Sequence, residues 1–440
     1  MVQWSGEPGP GVMSWDEFMA VGREVSDDLL QQRLSLAAVN QCCTIIYTSG
    51  TTGPPKGVML SQDQVTWGAE QYKKVFGILD GVEVTLSYLP LSHLAAQIGD
   101  MYNSISSGVT LYFAPADALK GSLGKVLLEA RPTQFFAVPR VWEKIYEKMQ
   151  EVGANASYFT KTVAAWAKYH GLNYYNAMKE GRELSTLELL KYNLAKTLVL
   201  SKVRNAIGLD RAHNLASGAA PIDSEILDYF FSLDIPIMEG YGMSESLSLC
   251  SMSSIKPGHF KTGAVGKVLS LTEVKLVDAG EYREGEGEIC MRGRNVCMGY
   301  LLSPDKTDEA IDDEGWLHTG DIGRIDSDGF LFITGRLKEL VITAGGENIP
   351  PILIEDAVKR ELPCVSNAML IGDKRKYLTI LLTFKSEVDL DTGAPLQELT
   401  PFCQSWCAEN GCRAATVKEA IAEVEANPKG ALAQAIQRGI

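Results

Sequence analysis

Hydroxyl, glycine and cationic residues crowd one short stretch of the chain, YTSGTTGPPKG at 47–57. Thr48, Ser49, Thr51 and Thr52 offer hydroxyl donors, while Gly50 and Gly53 leave backbone N–H groups open to an anion. Pro54 and Pro55 stiffen the exit, and Lys56 adds a point charge. Such a set suits a polyphosphate. A Walker A loop would need Gly at 55 and Ser or Thr after the lysine, and Pro55 and Gly57 exclude it. Composition alone leaves open a flexible turn between strand and hairpin.

A second group is EGYGMSES at 239–246. The ring of Tyr241, flanked by Gly240 and Gly242, suits stacking on a base, and Ser244 can donate to a phosphate. Glu245 offers carboxylate oxygen to Mg²⁺, a hard cation that prefers it; Glu239 and Met243 complete the segment. Asp321, after Gly320, can accept from both hydroxyls of a ribose, with Arg336 as its companion. Taken singly, Asp321 reads rather as an ordinary turn aspartate and Arg336 as a surface cation. SGAAP at 217–221 places small residues, Gly218 and Ala219 among them, where a planar base would approach backbone.

The elements that must position these residues follow from periodicity. CCTIIYT (42–48), VTLSYLP (84–90), VTLYFA (109–114) and QFFAVP (134–139) read as buried strands, with helical stretches such as SLGKVLLEA (122–130) between them. That alternation predicts an α/β fold built on a parallel sheet with covering helices. From 141 to 207 a helical insertion is expected, opened by Trp142, Ile145, Tyr146 and Met149 on one helix face. After Gly258 short strands and turns predict a β-rich subdomain, including a hairpin at Asp328-Gly329. Beyond Arg336 a strand (ELVITA), a helix (PILIEDAVKREL) and two strands predict a small α+β domain. The expected division is 1–335 and 336–440, the boundary lying at Gly335 to Lys338.

A net charge of −14 argues against nucleic acid and against broad attraction to anionic membrane, since both need a positive field. The nine cysteines are scattered, and the five histidines lie far from the Cys403, Cys407, Cys412 cluster, so reduced thiols of a cytoplasmic protein are expected. No apolar run reaches the roughly 18 residues of a membrane span. Peripheral contact, for example with endoplasmic reticulum, remains compatible with that.

In order, the segments 47–57, SGAAP, EGYGMSES, GWLHTGD (315–321), GRLKEL (335–340) and GGENIP (345–350) resemble the signatures of the adenylate-forming superfamily of acyl-CoA synthetases, peptide-synthetase adenylation domains and luciferases. The wording LPLSHLAAQ and the helical insertion are most similar to bubblegum-type long-chain acyl-CoA synthetases. The resemblance implies a ligase that uses ATP, Mg²⁺ and CoA to convert a long-chain fatty acid to its thioester. It assigns SGAAP to the adenine wall, Lys338 to a hinge, Gly345, Gly346 and Glu347 to the thioester-forming loop, and His93 to the region between acyl pocket and pantetheine tunnel. The insertion implies a long acyl chain, with Tyr158, Phe159, Trp166, Tyr169, Tyr174 and Tyr175 lining a tunnel, meeting membrane or packing as core. Two departures accompany it. The phosphate loop begins at Tyr47, whereas the family carries a substantial piece of the large domain upstream. The family also places a catalytic lysine in a Gly-Lys loop late in the small domain, and here only Lys429 in NPKG resembles one before Ile440. Weak adenylation by this chain, or a catalytically impaired isoform, is therefore expected.

Overall fold

The computed structural model describes residues 2–4, 6–48, 54–270, 272–277, 285–344, 348–389 and 394–440. At its centre lies a five-stranded sheet in the order Lys267–Val268, Ser251–Met252, Ile237–Tyr241, Asn214–Ser217, Gln134–Ala137. The last three strands run parallel, in register Leu215 to Ile237 and Phe135 to Leu215. Parallel neighbours require crossovers. Helix Ser224–Ser232 supplies one, and the whole helical insertion supplies the other. Both crossovers lie on the same face, where helix Ser224–Ser232 packs against helices Pro139–Ala154 and Tyr158–Lys179, and strands Gln134–Ala137 and Asn214–Ser217 are buried along most of their length.

The insertion is tied to the sheet through Trp142, fully buried on helix Pro139–Ala154. Its indole packs edge-on against Phe135 and Phe230 at 5.4 and 5.3 Å and donates to the Ala216 carbonyl at 3.2 Å. Helices Tyr158–Lys179 and Thr186–Ala195 begin at the caps Ser157 and Ser185, whose oxygens accept from backbone amides of the first turn. Between the insertion and the sheet lies Asp234, 1% exposed. It accepts from the hydroxyls of Tyr175 at 2.7 Å and Tyr192 at 2.6 Å, and Lys196 and Arg204 pair with it at 3.0 and 3.4 Å. A buried carboxylate is tolerable only when neutralised in this way. The aromatics of the insertion divide: Tyr174, Tyr175 and Trp166 join the core, whereas Tyr158, Phe159 and Tyr169 are 87%, 77% and 68% exposed.

The strands expected in one parallel sheet are distributed over three. Cys42–Thr48 returns antiparallel through Lys56–Ser61, the seven intervening residues, 49–55, being too few for the crossover that parallel pairing needs. Val84–Ser87 pairs in parallel with Thr110–Phe113. The predicted strand 84–90 stops at Ser87, ahead of Pro90. The β-rich region is an antiparallel meander of Thr272–Val277, Gly287–Gly293, Leu317–Ile325 and Leu331–Arg336. Past it, helix Pro351–Glu361 covers the pair Val365–Ile371 and Thr379–Phe384 around its own core of Val358, Leu362, Cys403 and Cys407. Of ELVITA only Val341–Ile342 is strand, paired with Asn348–Ile349. All nine cysteines are free thiols. No helix among the described residues is long and apolar enough to cross a membrane.

Candidate functional site

The carboxyl ends of the parallel strands are where an open α/β sheet binds ligands. Gly218 and Ala219 follow strand Asn214–Ser217, and Gly242 to Ser246 follow strand Ile237–Tyr241. A side chain at Gly218 would press on the Gly240 carbonyl at 3.2 Å and the Phe136 ring at 3.4 Å. Ala219 takes φ +71°, a conformation unusual for alanine and common at binding sites. Ser217 Oγ is buried without a partner among the described residues, an unmet hydrogen-bonding group at the mouth of the crevice.

Gly242 permits a tight reversal, since a Cβ there would overlap the Ser248 backbone. Leu247 and Ser248, at φ +59° and +57°, complete the reversal. The turn is held by Ser246 Oγ, which accepts from the Met243 amide at 3.0 Å, and by the Ser248 amide, which donates to the Met243 carbonyl at 2.8 Å. Ser244 and Glu245 thus sit on a single 3₁₀ turn. Glu245 is 7% exposed, and its Oε1 accepts from the Tyr300 hydroxyl at 2.8 Å. Tyr300 is positioned by backbone pairing with the Lys56–Ser61 strand: the Met59 amide donates to the Gly299 carbonyl at 3.0 Å and the Leu301 amide to the Gly57 carbonyl at 2.8 Å. Lys56 Nζ lies 4.6 Å from the centre of the same ring, so Lys56, Tyr300 and Glu245 form one chain.

A second cluster begins at Tyr241. Its hydroxyl donates to Asp321 Oδ2 at 2.7 Å, and Arg336 Nε donates to Oδ1 at 2.8 Å. Asp321 and Arg336 are direct cross-strand partners, so the sheet register itself places them together. The loop before Asp321 is fixed by Thr319 Oγ1, which accepts from the Asp321 amide at 3.0 Å and donates to the Ile289 carbonyl at 2.7 Å. Glu288 Oε1 accepts from the Gly320 amide at 3.0 Å. Burial and the adjacent Asp321 push the Tyr241 hydroxyl well above its ordinary pKa, so it stays a donor.

Two of the sequence-predicted groups therefore come together, Lys56 with Glu245 and Tyr241 with Asp321 and Arg336, and the segment 241–245 joins them. Thr48 is the register partner of Lys56, and Pro54 and Pro55 are exposed beside it. Ser49, Gly50, Thr51, Thr52 and Gly53 lie outside the described residues, as do Gly345, Gly346 and Glu347. Glu239 borders a small pocket with Phe231, Phe260 and Lys261, and burial pushes its carboxyl up to about 8 against the opposing charge of Lys179. His93 is exposed and uses Nδ1 to accept from the Ala95 amide at 3.3 Å, capping the short helix Leu94–Ala96. Lys338 is exposed on the 3₁₀ turn that directly follows Arg336. Sequence reasoning missed Tyr300, Thr319 and Glu288. Gly299-Tyr300 repeats the Gly-Tyr pairing of 240–241, a signal that could have flagged it.

The donor set fits a magnesium nucleotide. Glu245 Oε2 remains for a hard cation after Oε1 takes the Tyr300 hydroxyl, and Lys56 offers positive charge beside it.

The pattern of AMP-binding enzymes matches residues 12–301, and that of their C-terminal domain matches 338–433. The chain belongs to the AMP-binding enzyme family. It is 48% identical over 437 residues, 99% of its length, to the long-chain-fatty-acid–CoA ligase ACSBG2 of Xenopus laevis, and 47% identical over 99% of its length to human ACSBG1, also a long-chain-fatty-acid–CoA ligase. It spans 58% and 59% of those two relatives. Among solved structures, o-succinylbenzoate CoA synthetase of Bacillus subtilis in complex with its acyl-adenylate superposes with TM-score 0.62 at 21% identity, over 93% of this chain and 69% of that one. The A domain of a carboxylic acid reductase from Segniliparus rugosus, in complex with AMP, gives TM-score 0.61 at 22% identity, over 97% and 57%. These likenesses establish the adenylate-forming fold.

Proposed function

We propose that this chain carries the nucleotide site of an ATP-dependent long-chain-fatty-acid–CoA ligase. In the first half-reaction a carboxylate oxygen of the fatty acid bonds to the α-phosphorus of ATP and the bond to pyrophosphate breaks. In the second the sulfur of CoA bonds to the acyl carbon and AMP leaves. Catalysis is chiefly positioning and charge neutralisation. Asp321 accepts from the ribose hydroxyls, with Arg336 and Tyr241 setting its orientation. Tyr241 and the backbone of Gly218-Ala219 flank adenine. Ser244 and residues 48–56 meet the phosphates, and Lys56 neutralises the departing pyrophosphate. Mg²⁺, when bound, supplies charge neutralisation to the triphosphate oxygens, with Glu245 as its protein ligand.

The large domain ends at Gly335, and the remainder turns about Lys338 between the two half-reactions, bringing Gly345, Gly346 and Glu347 to the thioester step. His93 borders the path of the acyl and pantetheine groups. The protein acts in the cytoplasm, with peripheral contact to endoplasmic reticulum membrane through the exposed aromatics of the insertion. The observation that carries the reading is the Tyr241–Asp321–Arg336 cluster at the strand ends, in a chain 48% identical to a long-chain ligase.

The test is AMP binding by calorimetry together with palmitate-dependent exchange of labelled pyrophosphate into ATP. AMP binding that disappears in Asp321→Ala, with exchange driven by palmitate and not by acetate, supports the reading. Binding without exchange would favour the catalytically silent reading, and absence of AMP binding would overturn the site.

A further inference from the structure

Behind the Asp321 loop, on the meander, three side chains with the ligand chemistry of a borderline divalent metal share one face. Glu288 and Cys290 stand two apart on strand Gly287–Gly293, and His318 lies directly opposite Cys290 on strand Leu317–Ile325. His318 Nδ1 is 2.8 Å from Glu288 Oε2 and 3.4 Å from Cys290 Sγ, and Sγ is 3.9 Å from Oε2. The three atoms lie within 4.8 Å of one another. Tetrahedral zinc with Zn–N, Zn–O and Zn–S bonds of about 2.0 to 2.3 Å has ligand-to-ligand edges of about 3.3 to 3.6 Å. The N–S edge, at 3.4 Å, already has that size. The N–O edge must open by roughly 0.5 Å, as expected when a metal ion takes the place of the bridging proton, and the S–O edge must close by roughly 0.3 Å.

A second observation points the same way. The other imidazole nitrogen, Nε2, faces Asp312 Oδ2 at 3.7 Å. A carboxylate hydrogen-bonded to the far nitrogen of a histidine orients metal-binding imidazoles; here the carboxylate stands at ion-pair distance, within a small side-chain shift of that bond. Asp312 is itself rigid, since its Oδ1 accepts from the Glu314 and Trp316 amides at 2.9 Å each. Cys290 is fully buried, while the side chains of Glu288 and His318 are 13% and 32% exposed, so an ion can enter from the His318 side and leave its fourth position to water.

We propose that Glu288, Cys290 and His318 form a zinc-class site, with Asp312 orienting the histidine. It is separate from the Mg²⁺ position at Glu245 and uses softer donors. It adjoins the nucleotide site, because Glu288 also holds the Gly320 amide next to Asp321.

The whole chain is titrated with Co²⁺ as a spectroscopic probe, followed by displacement with Zn²⁺. The expected result is one equivalent giving thiolate-to-cobalt charge-transfer absorption. The band should vanish in Cys290→Ser and in His318→Gln and persist in the Cys42→Ser, Cys43→Ser double variant. Asp312→Asn keeps the turn but weakens the orienting acceptor, and is expected to lower Zn²⁺ affinity by about 10- to 100-fold. Thermal melts of each variant verify folding; should Cys290→Ser not fold, His318→Gln and Asp312→Asn decide. An undiminished band in folded Cys290→Ser or His318→Gln, or unchanged affinity in Asp312→Asn, would overturn the site.

Discussion

Replacing Tyr300 with phenylalanine isolates one hydrogen bond of the candidate site. The ring stays, and with it the contact to Lys56 at 4.6 Å; only the hydroxyl that donates to Glu245 at 2.8 Å is lost. Both residues are 7% exposed, so water cannot readily replace the donor. A hydrogen bond to an ionised group contributes about 1.5 to 3 kcal/mol, and the orphaned carboxylate oxygen carries a desolvation cost of similar size. Tyr300→Phe is therefore expected to lower unfolding stability by about 1.5 to 3 kcal/mol, read from the midpoint of urea denaturation at constant slope. A double-mutant cycle with Glu245→Ala gives the sharper reading, because alanine leaves the Tyr300 hydroxyl without its acceptor. The coupling energy should be about 1 kcal/mol or more. Effects that add to within ~0.5 kcal/mol would mean that the two residues do not interact, and the linkage from Lys56 to Glu245 would fail with them.

Asp321→Asn keeps an acceptor for Tyr241 and removes the charge facing Arg336 and the ribose; AMP affinity should fall by about 1.5 to 3 kcal/mol, roughly 10- to 100-fold by calorimetry, and an unchanged affinity would refute the ribose role. Gly242→Ala must move the Ser248 backbone and is expected to cost about 1 to 3 kcal/mol, whereas Gly124→Ala, with open space around it, should stay within ~1 kcal/mol of the parent by the same urea denaturation. Glu239 carries a carboxyl raised from 4.5 to about 8, so the folded state holds a proton that the unfolded state releases. Stability should consequently fall as pH rises from about 4.5 to about 8 and then level off, by up to about 4 to 5 kcal/mol before relaxation and water entry reduce it. Glu239→Gln should remove that slope; an identical pH profile for parent and variant would show that the carboxyl is not buried in this way.

Much of this architecture could be read from residue order. Apolar runs such as QFFAVP mark buried strands because strands buried along most of their length have no polar side to show, and the helical repeat of Trp142, Ile145, Tyr146 and Met149 marks a helix seated on the sheet. YTSGTTGPPKG and EGYGMSES pointed to a phosphate and nucleotide chemistry, which is proposed here for this chain, because anion binding needs donors and glycines at close sequence spacing. What periodicity could not decide was pairing between distant strands. The antiparallel return of 42–48 through 56–61 depends on a short connection, and it presents a strand to which the Tyr300 segment attaches. Tyr300 consequently meets Glu245 across 55 positions, and Tyr241 meets Asp321 across 80. Cys290 and His318, 28 apart, become neighbours only through the register of the meander. Local chemistry is written in short segments because backbone geometry limits what adjacent residues can do. Long-range contacts are chosen by burial and strand register, which act on the whole folded chain.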